Sequence, residues 1–163
     1  MGLTEPLEAV ADCGLPIALE AIGERWSFLI LRGALNGLRH FEEFQSTLGI
    51  ARNILANRLG RLVEHGILSR TPMPDDRRKI EYRLTEKGAE LLPAMLSLRQ
   101  WGERWGIGVP STPVLVDKRY EQPIRGVAIL SHDGRELGLM DMCWKHTHEI
   151  LPLDVPVKQA MAA

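Results

Sequence analysis

The chain has 163 residues, 45% hydrophobic and 25% charged, a balance that excludes disordered and fibrous classes. No run approaches the ~18 uninterrupted apolar residues of a membrane span, and residues 1–11 lack the basic start and apolar core of a signal peptide, so the expected location is the cytoplasm. The net charge of −1 conceals an asymmetry: residues 51–87 carry nine basic and five acidic side chains, +4, against −4 over residues 1–50 and −1 over residues 88–163. A local basic patch of this kind is what a phosphate backbone responds to.

The first apolar-periodic stretch predicts a short helix over Leu15–Ile22, with Pro16 in its first turn and Gly23 ending it. A second helix is expected over Trp26–Leu35, closed by Asn36-Gly37, with Ser27 a candidate for starting it. A third runs from Arg39 or His40 to Leu48, where Phe41, Phe44 and Leu48 fall on one face, and Gly49 stops it. After one turn, a fourth helix is expected from about Arg52 to His65. Ile54, Leu55, Leu59, Leu62 and Val63 supply its apolar face, and Arg52, Asn53, Asn57, Arg58 and Arg61 its polar one. Trp26, Phe28, Phe41 and Phe44 read as core.

The period then changes from helical to alternating. Residues 67–71 and 79–84 predict two strands joined by a basic loop over residues 72–78. Thr85 is a good N-cap for a helix reaching about Trp105, with Leu91, Leu92, Met95, Leu98, Trp101 and Trp105 in one stripe and Pro93 expected to kink it. Beyond a Gly/Pro-rich joint at residues 106–113, strands are expected over Ile124–Leu130 and Glu136–Cys143 around an Asp133-Gly134 turn, and the last dozen residues read as a loose tail.

Helices, a basic-faced helix, a basic-tipped hairpin and a long striped helix make a winged helix-turn-helix. The fold class is α+β, mainly α: a winged helix-turn-helix with a long helix after the wing and a C-terminal β-hairpin extension. The expected domains are residues 1–106 and 107–163. A protruding helix fits the major groove, where Arg reads guanine and Asn reads adenine, while a basic hairpin tip lies along phosphates or dips into a minor groove. The candidate DNA contacts are therefore Arg52, Asn53, Asn57, Arg58, Arg61, Arg70, Arg77, Arg78 and Lys79.

A family resemblance joins these elements. Cys13-Gly-Leu-Pro16, Ile22-Gly-Glu-Arg-Trp26, His40-Phe-Glu-Glu-Phe44, Gly49-Ile-Ala-Arg-Asn-Ile-Leu55, Leu62-Val-Glu-His-Gly-Ile-Leu68, Glu81-Tyr-Arg-Leu-Thr-Glu-Lys-Gly88 and Trp101-Gly102 stand in order. At this spacing the sequence resembles the HxlR family, a branch of the MarR-like winged-helix regulators, over roughly residues 13–106. The resemblance implies a homodimeric transcriptional repressor or activator, with repressor the preferred reading, on an inverted-repeat operator. Its two recognition helices would lie about 34 Å apart, one turn of duplex DNA. It also implies dimerisation through the N-terminal segment and the long helix, by Leu15, Leu91, Met95, Leu98, Trp101 and Trp105. Two departures stand out: Ala51 occupies a position where family members often have serine, and Asp75-Asp76 precede the wing's Arg77-Arg78-Lys79.

Cys13 matches a cysteine that senses oxidants or electrophiles in some family members, which makes it a candidate redox sensor. The competing, favoured reading is a small buried residue at the dimer interface. Cys143, His146 and His148 are too sparse for a structural zinc site, so neither metal nor cofactor is expected. Trp101, Trp105 and Met95 read first as dimer interface or core and, as the alternative, as the lining of a pocket for a small-molecule effector between the long helix and the winged domain; relief by either a small molecule or a redox signal is open. No membrane partner is expected. The alternatives are a winged-helix protein–protein module without DNA binding, and, last, an enzyme built on the C-terminal hairpin; no Ser-His-Asp set, phosphate loop or paired carboxylates support the latter.

Overall fold

The computed structural model describes residues 13–145, 148 and 150. They form two compact units, Cys13–Val127 and the residues from Ala128 onward. No helix among the described residues is long and apolar enough to cross a membrane.

In the first unit, α1 (Gly14–Ile22) is capped by Cys13, whose Sγ accepts the Leu15 N–H at 3.4 Å. Helix α2 (Arg25–Leu35) follows after a short bend. Its N-cap is Glu24, and Ser27 lies buried inside the helix, so the serine does not start it. Helix α3 (Phe41–Leu48) begins after His40. Glu43 Oε2 reaches back to accept the N–H groups of Arg39 (2.7 Å) and His40 (2.9 Å). These two donors, Arg39 first, hold the Glu43 carboxyl below its ordinary value.

Gly49 makes the tight turn. Its φ of 62° is left-handed, a conformation that costs glycine nothing and lets α4 leave at a sharp angle. Ile50 then plugs into the core, and α4 runs Arg52–Glu64. Ala51 is the N-cap, extended at φ −63°, ψ 138°, and offers no side-chain acceptor to the first turn. Ala51→Ser is therefore expected to stabilise the protein by about 0.5–1 kcal/mol, read as a higher urea midpoint with an unchanged slope.

Strands β1 (Leu68–Pro72) and β2 (Ile80–Leu84) pair antiparallel, Leu68 opposite Leu84 and Pro72 opposite Ile80. A short third rung comes from the chain before α3: the Tyr82 N–H donates to the Arg39 carbonyl at 2.8 Å, and His40 bridges Glu81. The wing is thereby tied to the base of α3. The core lies where α2, α3, α4 and the hairpin meet, with Ile30, Leu31, Phe44, Leu55, Leu59 and Leu62 fully buried. Trp26, Phe28 and Phe41 are partly buried against it.

The helix expected from Thr85 to Trp105 is divided. Thr85 caps α5 (Glu86–Ala89), accepting the Gly88 N–H at 3.1 Å. The helix breaks at Glu90 and Leu91, and α6 (Leu92–Gly102) continues into a π-helical turn, Glu103–Ile107. Pro93 sits in the first turn of α6, where its missing N–H costs nothing, so the proline opens a helix instead of kinking one.

Residues 108–127, expected with the C-terminal extension, pack in the first unit. Gln100 holds them: its Oε1 accepts the Val127 N–H at 2.9 Å and its Nε2 donates to the Arg125 carbonyl at 3.4 Å. The Ile124 N–H donates to Leu115, and Val116 bridges Pro123, so the start of the expected Ile124–Leu130 strand pairs locally. In the second unit, β3 (Ile129–Leu130) and β4 (Glu136–Leu137) form a two-residue hairpin around Asp133-Gly134. The second strand ends early because the Gly138 N–H donates to Asp141 Oδ2 (2.8 Å), capping a 3₁₀ turn, Leu139–Asp141. The expected tail from about residue 152 lies outside the described residues.

Candidate nucleic-acid interface

Helix α4 presents two faces. Leu55, Leu59 and Leu62 enter the core, while Arg52, Asn53 and Asn57 are exposed. Arg52, the first residue of α4, stacks its guanidinium 4.8 Å from the centroid of Phe41 on α3. The ring limits the rotamers of a long side chain and leaves its donors to solvent.

Arg58 and Arg61, expected alongside these residues, turn elsewhere. Arg58 pairs closely with Glu24 and is only 18% exposed. Arg61 Nη2 donates to the Glu20 carbonyl (3.0 Å) and to Glu20 Oε1 (3.1 Å). The two arginines stand one turn apart on α4 and clasp the end of α1 and the start of α2. Nη2 of each is committed within the protein, to Glu24 and to Glu20, while Arg58 Nε is buried without a hydrogen-bond partner.

The hairpin tip is ordered by Asp76. Its Oδ1 accepts from the Arg78 backbone (3.0 Å) and from Arg78 Nε (3.2 Å), and its carbonyl accepts the Lys79 N–H at 2.9 Å. Asp76 thus shapes the turn, while Asp75, Arg77, Arg78 and Lys79 stay exposed. Arg70 is exposed on β1, across from Tyr82. Between wing and reading helix lies an open groove of about 680 Å³, whose lining includes Arg52, Arg78 and Lys79 with His40, Phe41 and Ile80. Three of the expected cations therefore share one groove; Asn53 and Asn57 are on the same helix, Arg70 and Arg77 on the same hairpin.

Of the other expected residues, Leu91 and Met95 are partly buried against the core. Leu15 (61% exposed), Leu98 (54%), Trp101 (65%) and Trp105 (67%) are open to solvent. Ile17 and Leu19 on α1 are exposed as well. Their apolar run in a helix with little polar face was the available sequence signal for them. Cys13 is half-buried and Cys143 exposed, both as free thiols. His146 lies outside the described residues, and among those described no group of three His, Cys, Asp or Glu side chains is placed to hold a metal.

Known proteins resemble this chain in sequence and in fold. Over 88 residues the chain is 48% identical to Rv3095, an uncharacterised HTH-type transcriptional regulator of Mycobacterium tuberculosis, a match spanning 54% of this chain and 56% of that relative. The chain thus covers little more than half the length of its mycobacterial relatives. Among solved structures, PA1607, a candidate transcription factor, superposes with a TM-score of 0.75 at 40% identity, covering 84% of this chain and 96% of PA1607. The redox regulator HypR in its oxidised form superposes with a TM-score of 0.52 at 31% identity, covering 56% of this chain and 96% of HypR. Residues 21–108 match the HxlR-like helix-turn-helix family across its reading helix and wing, and the chain belongs to that family.

Proposed function

We propose that this protein is a sequence-specific DNA-binding transcriptional regulator, a repressor that acts as a homodimer on an inverted-repeat operator in the cytoplasm. The observation that carries the reading is the groove in which Arg52 at the start of α4 meets Arg78 and Lys79 of the wing. Around this groove, Arg52 at the helix N-terminus, with Asn53 and Asn57 farther along the same helix, reads base edges, and Arg78 and Lys79, with Arg70 and Arg77 on the same hairpin, hold phosphates or the minor groove. Arg58 and Arg61 brace α4 against α1 and α2 and set the angle of the reading helix.

The dimer uses the exposed apolar side chains Leu15, Leu98, Trp101 and Trp105, with Leu91 and Met95 supporting them from the core side. A charge at the centre of such a patch is strongly unfavourable. Trp101→Glu is expected to raise the dimer dissociation constant by about 30-fold or more, seen by light scattering as a shift from dimer to monomer mass. The resemblance to HypR supports a thiol signal at Cys13, and relief of repression by a small molecule is the second route.

The deciding experiment is selection of duplexes from a random library, followed by mobility shift of the winning sequence over a salt series. A recovered inverted repeat, bound with an affinity that falls steeply with salt, supports the regulator reading. Failure to enrich any sequence sinks it in favour of a winged-helix protein–protein module.

A further inference from the structure

A second concavity lies within the first unit. The last turn of α2, the inner face of α6 and the segment around Ser111 enclose a cavity of about 480 Å³. The size falls in the range of small-ligand sites, ~300–1,000 Å³. Its lining is largely aliphatic, with Leu35, Met95, Leu96 and Leu115, and carries two guanidinium groups, those of Arg32 and Arg99.

The two cations are not equivalent. Arg99 Nε donates to Glu103 Oε1 (2.8 Å) and its Nη2 to the Pro113 carbonyl (2.8 Å). Glu103 Oε1 also accepts the Ser111 N–H at 3.2 Å, and hydrogen bonds from Ser111 and Arg99 keep the Glu103 carboxyl below its ordinary value. Arg99 and Glu103 therefore form a neutral clasp fastening the Ser111 segment to α6. The Arg32 guanidinium, by contrast, makes no ion pair or hydrogen bond with any described residue. Beside it, Asn36 already spends an amide hydrogen on the Arg32 carbonyl (2.8 Å), so the available strong donor is the Arg32 cation.

One uncompensated positive charge at the edge of an aliphatic hollow matches an organic monoanion with a compact apolar body. A neutral molecule forgoes the cation, and a dianion brings a second charge for which the lining holds no second uncommitted cation, Arg99 being paired with Glu103. We propose that this cavity binds a small amphiphilic carboxylate, its anion on Arg32 and its apolar body against Leu35, Met95, Leu96 and Leu115. Around α6, at about 100° per residue, the exposed Trp101 lies roughly a third of a turn or more from Met95 and Leu96, and Leu98 lies about a sixth of a turn from Met95.

The consequence for DNA, though not the binding itself, rests on the regulator reading. The chain leaving α2 reaches Arg39, whose guanidinium donates to the Ala34 carbonyl (2.7 Å) and whose carbonyl holds the Tyr82 N–H of β2. An anion bridging the end of α2 and α6 thus joins the reading head to the helix bearing the dimer stripe. It changes DNA affinity by the ratio of its affinities for the DNA-competent and incompetent arrangements.

The test is calorimetry on the full chain, without DNA, using 2-naphthoate and its neutral carboxamide as probes. The expected result is saturable binding of one naphthoate per chain, weakened about tenfold by Arg32→Gln, with the carboxamide weaker and indifferent to that change. Leu115→Trp, which fills the cavity from a partly exposed position, should abolish binding of both, with circular dichroism verifying that each variant is folded. Equal affinity for acid and amide, no response to Arg32→Gln, full binding by Leu115→Trp, or no naphthoate binding at millimolar concentration would each overturn the proposal. Because no DNA is present, these outcomes leave the regulator reading untouched. Conversely, loss of DNA binding with naphthoate binding intact removes that reading and keeps the site.

Discussion

Arg52→Ala is expected to weaken binding to the selected operator by about 10- to 100-fold, the ~1–3 kcal/mol carried by a bidentate arginine–base contact. Arg52 is the first residue of α4, exposed and held over Phe41. The helix dipole and its unpaired N–H groups add positive potential at that end. Arg52→Lys should recover only part of the loss, because a point charge neither forks to two acceptors nor stacks on the ring as well. Replacing Arg77 and Arg78 together by alanine should act differently. Affinity should fall by a similar factor on all sequences, and the slope of log affinity against log salt should shrink by about 1–2, the signature of lost phosphate contacts. Arg61→Ala should leave that slope unchanged, since its guanidinium is committed to Glu20. If Arg61→Ala flattens the salt dependence and Arg52→Ala does not, the reading face lies on the opposite side of α4.

Phe44→Ala should cost about 3–5 kcal/mol, a large share of the ~5–15 kcal/mol available to a domain of this size. Phe44 is fully buried on α3 and packs against Gly33 of α2. A Cβ on Gly33 of α2 would lie 3.1 Å from the Phe44 ring and 2.9 Å from Leu38 Cδ1, which shows how little space remains between the helices. Truncating the ring leaves a cavity that these backbones cannot close. Urea unfolding should show a much lower midpoint with a similar slope, and operator binding should vanish over the same urea range, because α3 and the Gly49 turn position α4. A variant that unfolds early yet keeps its DNA affinity would separate the reading head from this core.

Much of the arrangement was legible in the residues alone. Helices α1 to α4 end at or near the glycines and Asn36-Gly37 that mark them, since helical periodicity and C-terminal glycines are local signals. The hairpin was equally plain, because alternation of apolar side chains and a turn-rich tip leave few other conformations. The match of residues 21–108 to the HxlR-like family agrees with the motifs that suggested it. Local signals also had limits. Ser27 is a capping residue type, yet the chain bends one turn earlier and buries it. Pro93 can kink a helix or open one, and the break at Glu90 and Leu91 decides for opening.

What the amino-acid order determined by itself, then, was the succession of elements and the concentration of positive charge around the fourth helix and the wing. Both depend on neighbours within one or two turns of chain. Which cations stand free was decided only in three dimensions. Arg52 and Arg58 occupy the same helix and differ by six positions, but Arg58 meets Glu24 and Arg52 meets Phe41. The cavity beside Arg32 likewise joins the end of α2, α6 and the segment at Ser111, and the Arg99–Glu103 clasp leaves one charge there uncompensated. Such pairings join residues far apart in the chain, and no local periodicity encodes them, because they follow from how packed helices bring distant side chains within a few ångströms.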